Sequence, residues 1–280
     1  MQVRLCGVRG STPAPGAEYI RYGGHTSCVA LTADGGEAPS LILDAGTGVR
    51  RVTSLLGGQP FRGTVLLSHL HWDHVQGLPF FRGGDRDDAR VRLLLPEQPD
   101  GRGAEEVLAK GMSPPQFPID PSGLRGRWSF ESAAPGRFES EGFAIEAREV
   151  PHKGGRTFGY RVSDGRSAIA YAPDHCPTLL GPGPDGWGEY HEAVLALADG
   201  VALLLHDAHL VASELAAEAP FGHACAEYAV GLGQRAGAAG VVLFHHKPDR
   251  TDDELDDLAR CFESAPLPVT VAAEGMVFEL

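Results

Sequence analysis

Residues 68–74, SHLHWDH, place three histidines and one aspartate within six positions, directly after the apolar run TVLL. In an extended segment alternate side chains share one side, so His69 and His71 can face together while Asp73 projects from the turn that follows. His74 then opens the next segment. Neutral imidazole nitrogens and carboxylate oxygens suit zinc, manganese or iron, and two such groups of donors side by side are enough for two ions. The pattern HxHxDH arises in roughly one shuffled chain of this composition in a thousand. Treated as an ordinary polar loop, the cluster would leave three imidazoles seeking partners at one strand tip, which is costly unless a cation organises them.

More candidates stand where apolar runs end: His152 in EVPHKGG, Asp174 in YAPDH, His206 and Asp207 in LLLHDAH, and His245 and His246 in LFHHKPD. Singly, each is an ordinary polar residue. Their recurrence at successive strand ends, where such folds gather functional groups, argues for one site. His223, in FGHACAEYA, sits where a helix begins; a plain helix cap is its simpler role. His175 and His209 lie nearby in sequence, and solvent exposure is the expectation for both.

These residues need elements to carry them. The runs QVRLC, SCVALT, SLILDA, TVLLSH and VRLLLP, set apart by Gly, Pro and Asp, predict strands through residue 96. A second series follows in FAIEAREV, TFGYRVS, SAIAYAP, VALLLHDA, GVVLFHH and PVTVAAEG, with amphipathic helices predicted near 188–198, 224–236 and 252–264. Thr251 with Glu254 fits a capping box at the last of these. Each sheet must bury an apolar face, so the expectation is an α/β chain folded as an αββα sandwich, one domain over residues 1–280. The Pro- and Gly-rich stretch 97–137 is too long for an idle connector and is expected to form a lid or a dimer contact. For Met112, Phe117 and Trp128 the plainer role, cover for a sheet edge, takes precedence. DAGTG and GVRGS read as turns rather than phosphate-binding loops.

HxHxDH with later isolated His, Asp and His at strand ends resembles the metallo-β-lactamase superfamily. GVRGSTPAPG, RYGGHTSC, LILDAGTGVR and SHLHWDHVQGLPFF are similar to its phosphodiesterase branch, which includes phosphoribosyl cyclic phosphodiesterases and, more distantly, tRNase Z. The resemblance runs from Val3 to about Leu258. It implies the metallo-β-lactamase fold and two divalent cations, zinc first with manganese or iron as alternatives. His69, His71 and His152 would hold one, Asp73, His74 and His245 the other, with Asp174 between them. It further implies a catalytic pair, Asp207 and His223, with Asp73 counted among the catalytic groups as well. The implied reaction is hydrolysis of a small phosphodiester or cyclic phosphate by a hydroxide shared between the ions. Departures from the branch are His25 in place of asparagine, HAC in place of HST, and the His245–His246 doublet, which leaves one ligand open by a position.

Composition narrows the alternatives. With 24 basic and 37 acidic residues the net charge is -13, which disfavours binding an extended polyanion such as a long nucleic acid. The five cysteines are odd in number and form no CxxC, so a disulfide framework and a thiolate zinc cluster are not expected, and a reducing cytoplasm suits them. No window reaches the ~18 apolar residues of a membrane span. Hydrolysis of a lactone, lactam or other carboxylic ester on the same site is the runner-up, and a metal-stabilised binding module without catalysis is the alternative of another class.

Overall fold

Leucine and β-branched side chains pack well on a pleated surface, whereas Gly, Pro and Asp end it, which is why the short apolar runs become strands. The computed structural model describes residues 1–280. Its first seven strands are β1 (Gln2–Gly7), β2 (Cys28–Thr32), β3 (Leu41–Leu43), β4 (Arg62–Leu66), β5 (Arg90–Pro96), β6 (Arg127–Ala133) and β7 (Gly136–Ser140). The other seven are β8 (Phe143–Glu149), β9 (Phe158–Ser163), β10 (Ala168–Ala172), β11 (Leu203–Asp207), β12 (Val241–Phe244), β13 (Val269–Val271) and β14 (Val277–Glu279). Seven helices join them: α1 (Val49–Leu55), α2 (Trp72–Val75), α3 (Ala104–Ala109), α4 (Glu192–Ala198), α5 (Leu215–Glu218), α6 (Ala226–Arg235) and α7 (Asp252–Cys261).

One sheet has the order β14-β1-β2-β3-β4-β5-β6, the other β13-β12-β11-β10-β9-β8-β7. Between them lies an apolar layer that includes Leu5, Leu31, Leu43, Tyr160, Leu205 and Phe244, all essentially inaccessible. Alternate residues of the same strands point outward: Ile42 packs with Val49 and Val52 of α1, and Leu204 and Leu243 pack with α4, α6 and α7. Strands covered on both faces read as continuous apolar runs. The expected αββα sandwich is what forms.

Strand direction decides where the chemistry collects. β10, β11, β12 and β13 are parallel, and β8 runs the same way because it is antiparallel to β9, itself antiparallel to β10. The C-terminal ends of β8, β10, β11 and β12 therefore share one edge of the second sheet. β8, β10 and β12 lead into His152, Asp174 and His245, and Asp207 is the last residue of β11.

Several elements differ from the sequence reading. α1, α2, α3, α5, β6, β7 and β14 are additional, and β14 leaves the second half of the chain to pair antiparallel with β1. α6 begins at Ala226 rather than 224 because Cys225 is still extended (φ -95, ψ 159) and bridges to Leu210. α7 carries the expected capping box, Thr251 Oγ1 accepting the Glu254 N–H at 3.3 Å and Glu254 returning to the Thr251 N–H at 2.7 Å. Within 97–137, α3 packs on β6, and Trp128 stacks with Phe130 on that edge strand at 5.9 Å between centroids. Met112 is buried, but together with Phe117 it lines a groove described below.

Candidate metal centre

The chain turns sharply after β4. His71 keeps an extended backbone (φ -65, ψ 150) and the single turn of α2 starts immediately behind it. His69 and His71 are thereby left on the strand extension while Asp73 and His74 project from the helical turn. From the facing sheet edge come His152, Asp174 and His245, and the seven side chains converge. His152 Nε2 lies 3.3 Å from His71 Nδ1 and 3.4 Å from Asp174 Oδ1, with His69 Nε2 at 4.0 Å from that oxygen. On the other side, His74 Nε2 is 3.2 Å from His245 Nε2, 3.2 Å from Asp73 Oδ2 and 2.9 Å from Asp174 Oδ2. Asp174 thus has one oxygen toward each group of donors.

The backs of these rings are held by hydrogen bonds. Asp44 Oδ2 accepts from His74 Nδ1 at 2.7 Å, from Tyr171 Oη at 2.8 Å and from Ser68 Oγ at 2.8 Å, while its Oδ1 accepts the Ser68 N–H at 2.6 Å. His152 Nδ1 donates to the carbonyl of Gly222 at 2.7 Å. Such partners set the tautomer, so that the other ring nitrogen turns its lone pair into the site. Asp44 belongs to DAGTG, which the sequence reading treated as a turn; an acidic residue directly after the apolar run LIL was the signal for it. GVRGS also does more than turn, since the Ser11 N–H donates to Asp73 Oδ2 at 2.7 Å.

Electrostatics separates the rings into two kinds. Burial first, then neighbouring imidazoles, push His69 well below its ordinary pKa, and His71 and His152 are lowered chiefly by burial. Kept neutral, all three are in the form that binds a cation. Burial opposes charge on His74 too, but Asp73, Asp44 and Asp174 outweigh it and raise the ring well above its ordinary value. That half of the cluster draws positive charge.

Beside the cluster, His223 Nδ1 donates to Asp207 Oδ2 at 3.0 Å and lies 3.6 Å from Asp174 Oδ1. The Asp207 carboxylate is fixed by backbone N–H groups of His175 (3.1 Å), His209 (3.0 Å) and Ala224 (3.2 Å). Burial disfavours the His223 cation, yet Asp207 dominates and lifts the ring to about 9. The expectation of exposure fails for two histidines. His175 is buried, its Nδ1 3.0 Å from His206 Nε2, and that ring in turn donates to the Asp207 carbonyl, so His206 supports the site edge from behind. His209 is also buried and stacks on His223 with centroids 4.2 Å apart. The doublet is split by the backbone: His245, at φ 61, enters the cluster, whereas His246 turns away, its Nε2 donating to the Ala272 carbonyl at 2.8 Å. His25 is not in the cluster; it faces Glu274, 3.8 Å away.

A family profile described as the beta-lactamase superfamily domain matches residues 40–246, a span that contains all seven clustered side chains together with Asp207 and His223. The chain belongs to the metallo-β-lactamase superfamily of hydrolases. A ribonuclease Z from Gemmatimonas aurantiaca is 22% identical over 318 residues, covering 99% of this chain and 95% of that protein. Among solved structures, the metallo-β-lactamase fold protein YhfI from Bacillus subtilis superposes with a TM-score of 0.70 at 18% identity, over 100% of this chain and 98% of that one. A diphosphatase of the PhnP family gives a TM-score of 0.67 at 16% identity, over 100% and 97% respectively. Identities this low establish the shared fold.

The superfamily fold implies divalent metal binding, and the donors here fit it. His69 Nε2 is buried with no hydrogen-bond partner, and two Nε2 atoms, of His74 and His245, face each other at hydrogen-bond distance between two carboxylates. Cations satisfy those lone pairs and carboxylates together. The approach to the cluster is equally specific. A Cβ on Gly10 would stand 2.4 Å from His245 Cε1 and 2.9 Å from His209 Nδ1. Gly10→Val is therefore expected to push His245 out of the cluster and to lower zinc affinity at least ten-fold at little cost in secondary structure, as read by chelator competition and circular dichroism.

Proposed function

We propose that the protein is a phosphodiesterase of the metallo-β-lactamase fold that uses two divalent ions, zinc in the first instance, to hydrolyse a small phosphodiester or cyclic phosphate. His69, His71 and His152 hold one ion, Asp73, His74 and His245 the other, and Asp174 serves both. Divalent ions at such a site supply Lewis acidity and a nucleophilic water at neutral pH.

The observation that carries the reading is the Asp207–His223 pair beside the cluster. Hydrolysis of an unactivated diester must protonate a departing alkoxide, and a charged imidazole at the rim can provide that proton, a role worth 10²–10⁴ in rate. With Nδ1 committed to Asp207, His223 gives up the proton on Nε2. Asp207 stays ionised because three backbone N–H groups and the imidazole donate to it. The open cleft above the cluster, about 610 Å³, is lined by Trp72, Phe221 and the Lys247–Glu218 ion pair at 2.6 Å. A volume of that order holds a small molecule, and the net charge of -13 opposes wrapping a long nucleic acid. All five cysteines are free, which suits a reducing cytoplasm.

The test is reconstitution with zinc, manganese or iron(II), followed by parallel assay of bis(p-nitrophenyl) phosphate, cyclic nucleotides, and lactone, lactam and ester panels. Turnover of the diesters that exceeds that of the carbonyl substrates by at least a hundred-fold, with two metals bound per chain, is the expected result. Preference for a carbonyl substrate, or full occupancy without any turnover, overturns it.

A further inference from the structure

Trp72 is 76% exposed although it lies between two residues of the cluster, His71 and Asp73. Large apolar side chains left open in this way mark binding surfaces. Its indole belongs to two cavities at once. One is the cleft over the metal cluster; the other is a neighbouring groove of about 1080 Å³. Leu78, Phe80, Met112 and Phe117 line that groove, with Phe80 54% exposed and its ring edge-on to Phe117 at 5.9 Å. Two loops that follow neighbouring strands of the first sheet build it: Trp72 to Phe80 follow β4, whereas Met112 and Phe117 come from the 97–137 stretch after β5.

The charge on the rim is as informative as the apolar floor. In a chain of net charge -13, arginines 50, 82, 86 and 125 gather here. Arg86 pairs with Asp88 and Arg125 with Asp85, but Arg50 and Arg82 make neither an ion pair nor a side-chain hydrogen bond and are exposed. Aromatic walls offer stacking faces, and guanidinium groups beside them favour an anionic molecule with a planar apolar part. A diester has two arms on one phosphorus. With the phosphoryl group over the metal cluster, an arm directed past Trp72 enters this groove.

We infer that the groove is the specificity pocket of the enzyme and takes a planar, apolar arm of the diester, of the aryl or nucleobase kind. The inference rests on the phosphodiesterase reading for its substrate class. Its occupant is set by continuity with the cleft through Trp72 and by the two unpaired guanidinium groups.

The decisive comparison uses two esters with the same leaving group, bis(p-nitrophenyl) phosphate and methyl p-nitrophenyl phosphate, on the zinc-loaded protein and its Phe80→Ala/Phe117→Ala variant. The variant is expected to raise KM for the bis-aryl ester about ten-fold, to shift the methyl ester less than two-fold, and to leave kcat for both unchanged. Equal effects on the two esters, or none, overturn the inference while leaving the diesterase reading intact. Binding of benzylphosphonate against ethylphosphonate by calorimetry gives the same contrast without turnover: the benzyl compound binds about ten-fold tighter to the parent, an advantage the variant loses. If the parent turns over neither ester but keeps the benzyl preference, the diesterase reading fails and the planar-ligand pocket stands. Unchanged ligand ratios with a fall from dimer to monomer mass in light scattering would mean that a second copy of the chain covers the groove, and would also overturn the inference.

Discussion

Replacing His223 by alanine is expected to cut turnover of an unactivated phosphodiester, such as a cyclic nucleotide, by 10²–10⁴ while metal content stays at the parent value. The ring lies beside the cluster, 3.6 Å from Asp174 Oδ1 and 5.1 Å from the His245 ring between centroids, and its hydrogen bond is to Asp207. Its removal takes away a proton donor without unpairing a ligand. His69→Ala and Asp174→Ala should behave differently. His69 supplies a buried nitrogen that nothing else satisfies, and Asp174 presents oxygens to both groups of donors. Both variants should lose metal along with activity. Elemental analysis beside kcat separates the two classes, and equal metal loss in all three variants would refute the division of roles.

The second large effect is expected at Asp44. Four donors converge on its carboxylate, from the Ser68 backbone, the Ser68 hydroxyl, His74 and Tyr171, and the residue is fully buried. Each donor left unpaired in the interior costs about 1–3 kcal/mol. Asp44 also has a left-handed backbone, φ 59, which Asn tolerates far better than Ala does. Asp44→Asn therefore isolates the loss of charge from backbone strain. Its amide can accept from some of the four donors but presents two hydrogens where only acceptors are wanted. The expected outcome is a loss of about 3 kcal/mol in stability by denaturant melt and a 10–100-fold weaker zinc affinity, since His74 loses the partner that orients it. Unchanged zinc affinity in a folded Asp44→Asn protein would show that Asp44 supports only the core.

HxHxDH was readable because its chemistry is local: strand alternation and one helical turn suffice to aim four side chains. The runs ending at His152, Asp174 and Asp207 were readable as strand ends for a similar reason, since a buried strand has a continuous apolar signature whatever it pairs with. Elements with one exposed face were harder to find. β6, β7 and β14 alternate or carry charge, and β14 gains its place only by pairing with β1 at the far end of the chain. Asp44 and Ser11 went unassigned as functional groups because their partners, His74 and Asp73, lie 30 and 62 residues away. His175 and His209 were misjudged as exposed, because nothing in a single histidine tells whether another ring will stack against it.

What the chain determines by itself is the inventory: which continuous apolar segments form strands, which bear nitrogen and oxygen donors at their ends, and a net charge of -13. These follow from side-chain chemistry and from periodicities that need no knowledge of neighbours. Tertiary structure alone decides that the ends of β8, β10, β11 and β12 meet the turn after β4 at one edge and that Trp72 is shared between two cavities. Each of these depends on strand direction and on the packing of segments distant in sequence, and those are settled by burial of the common apolar layer between the sheets.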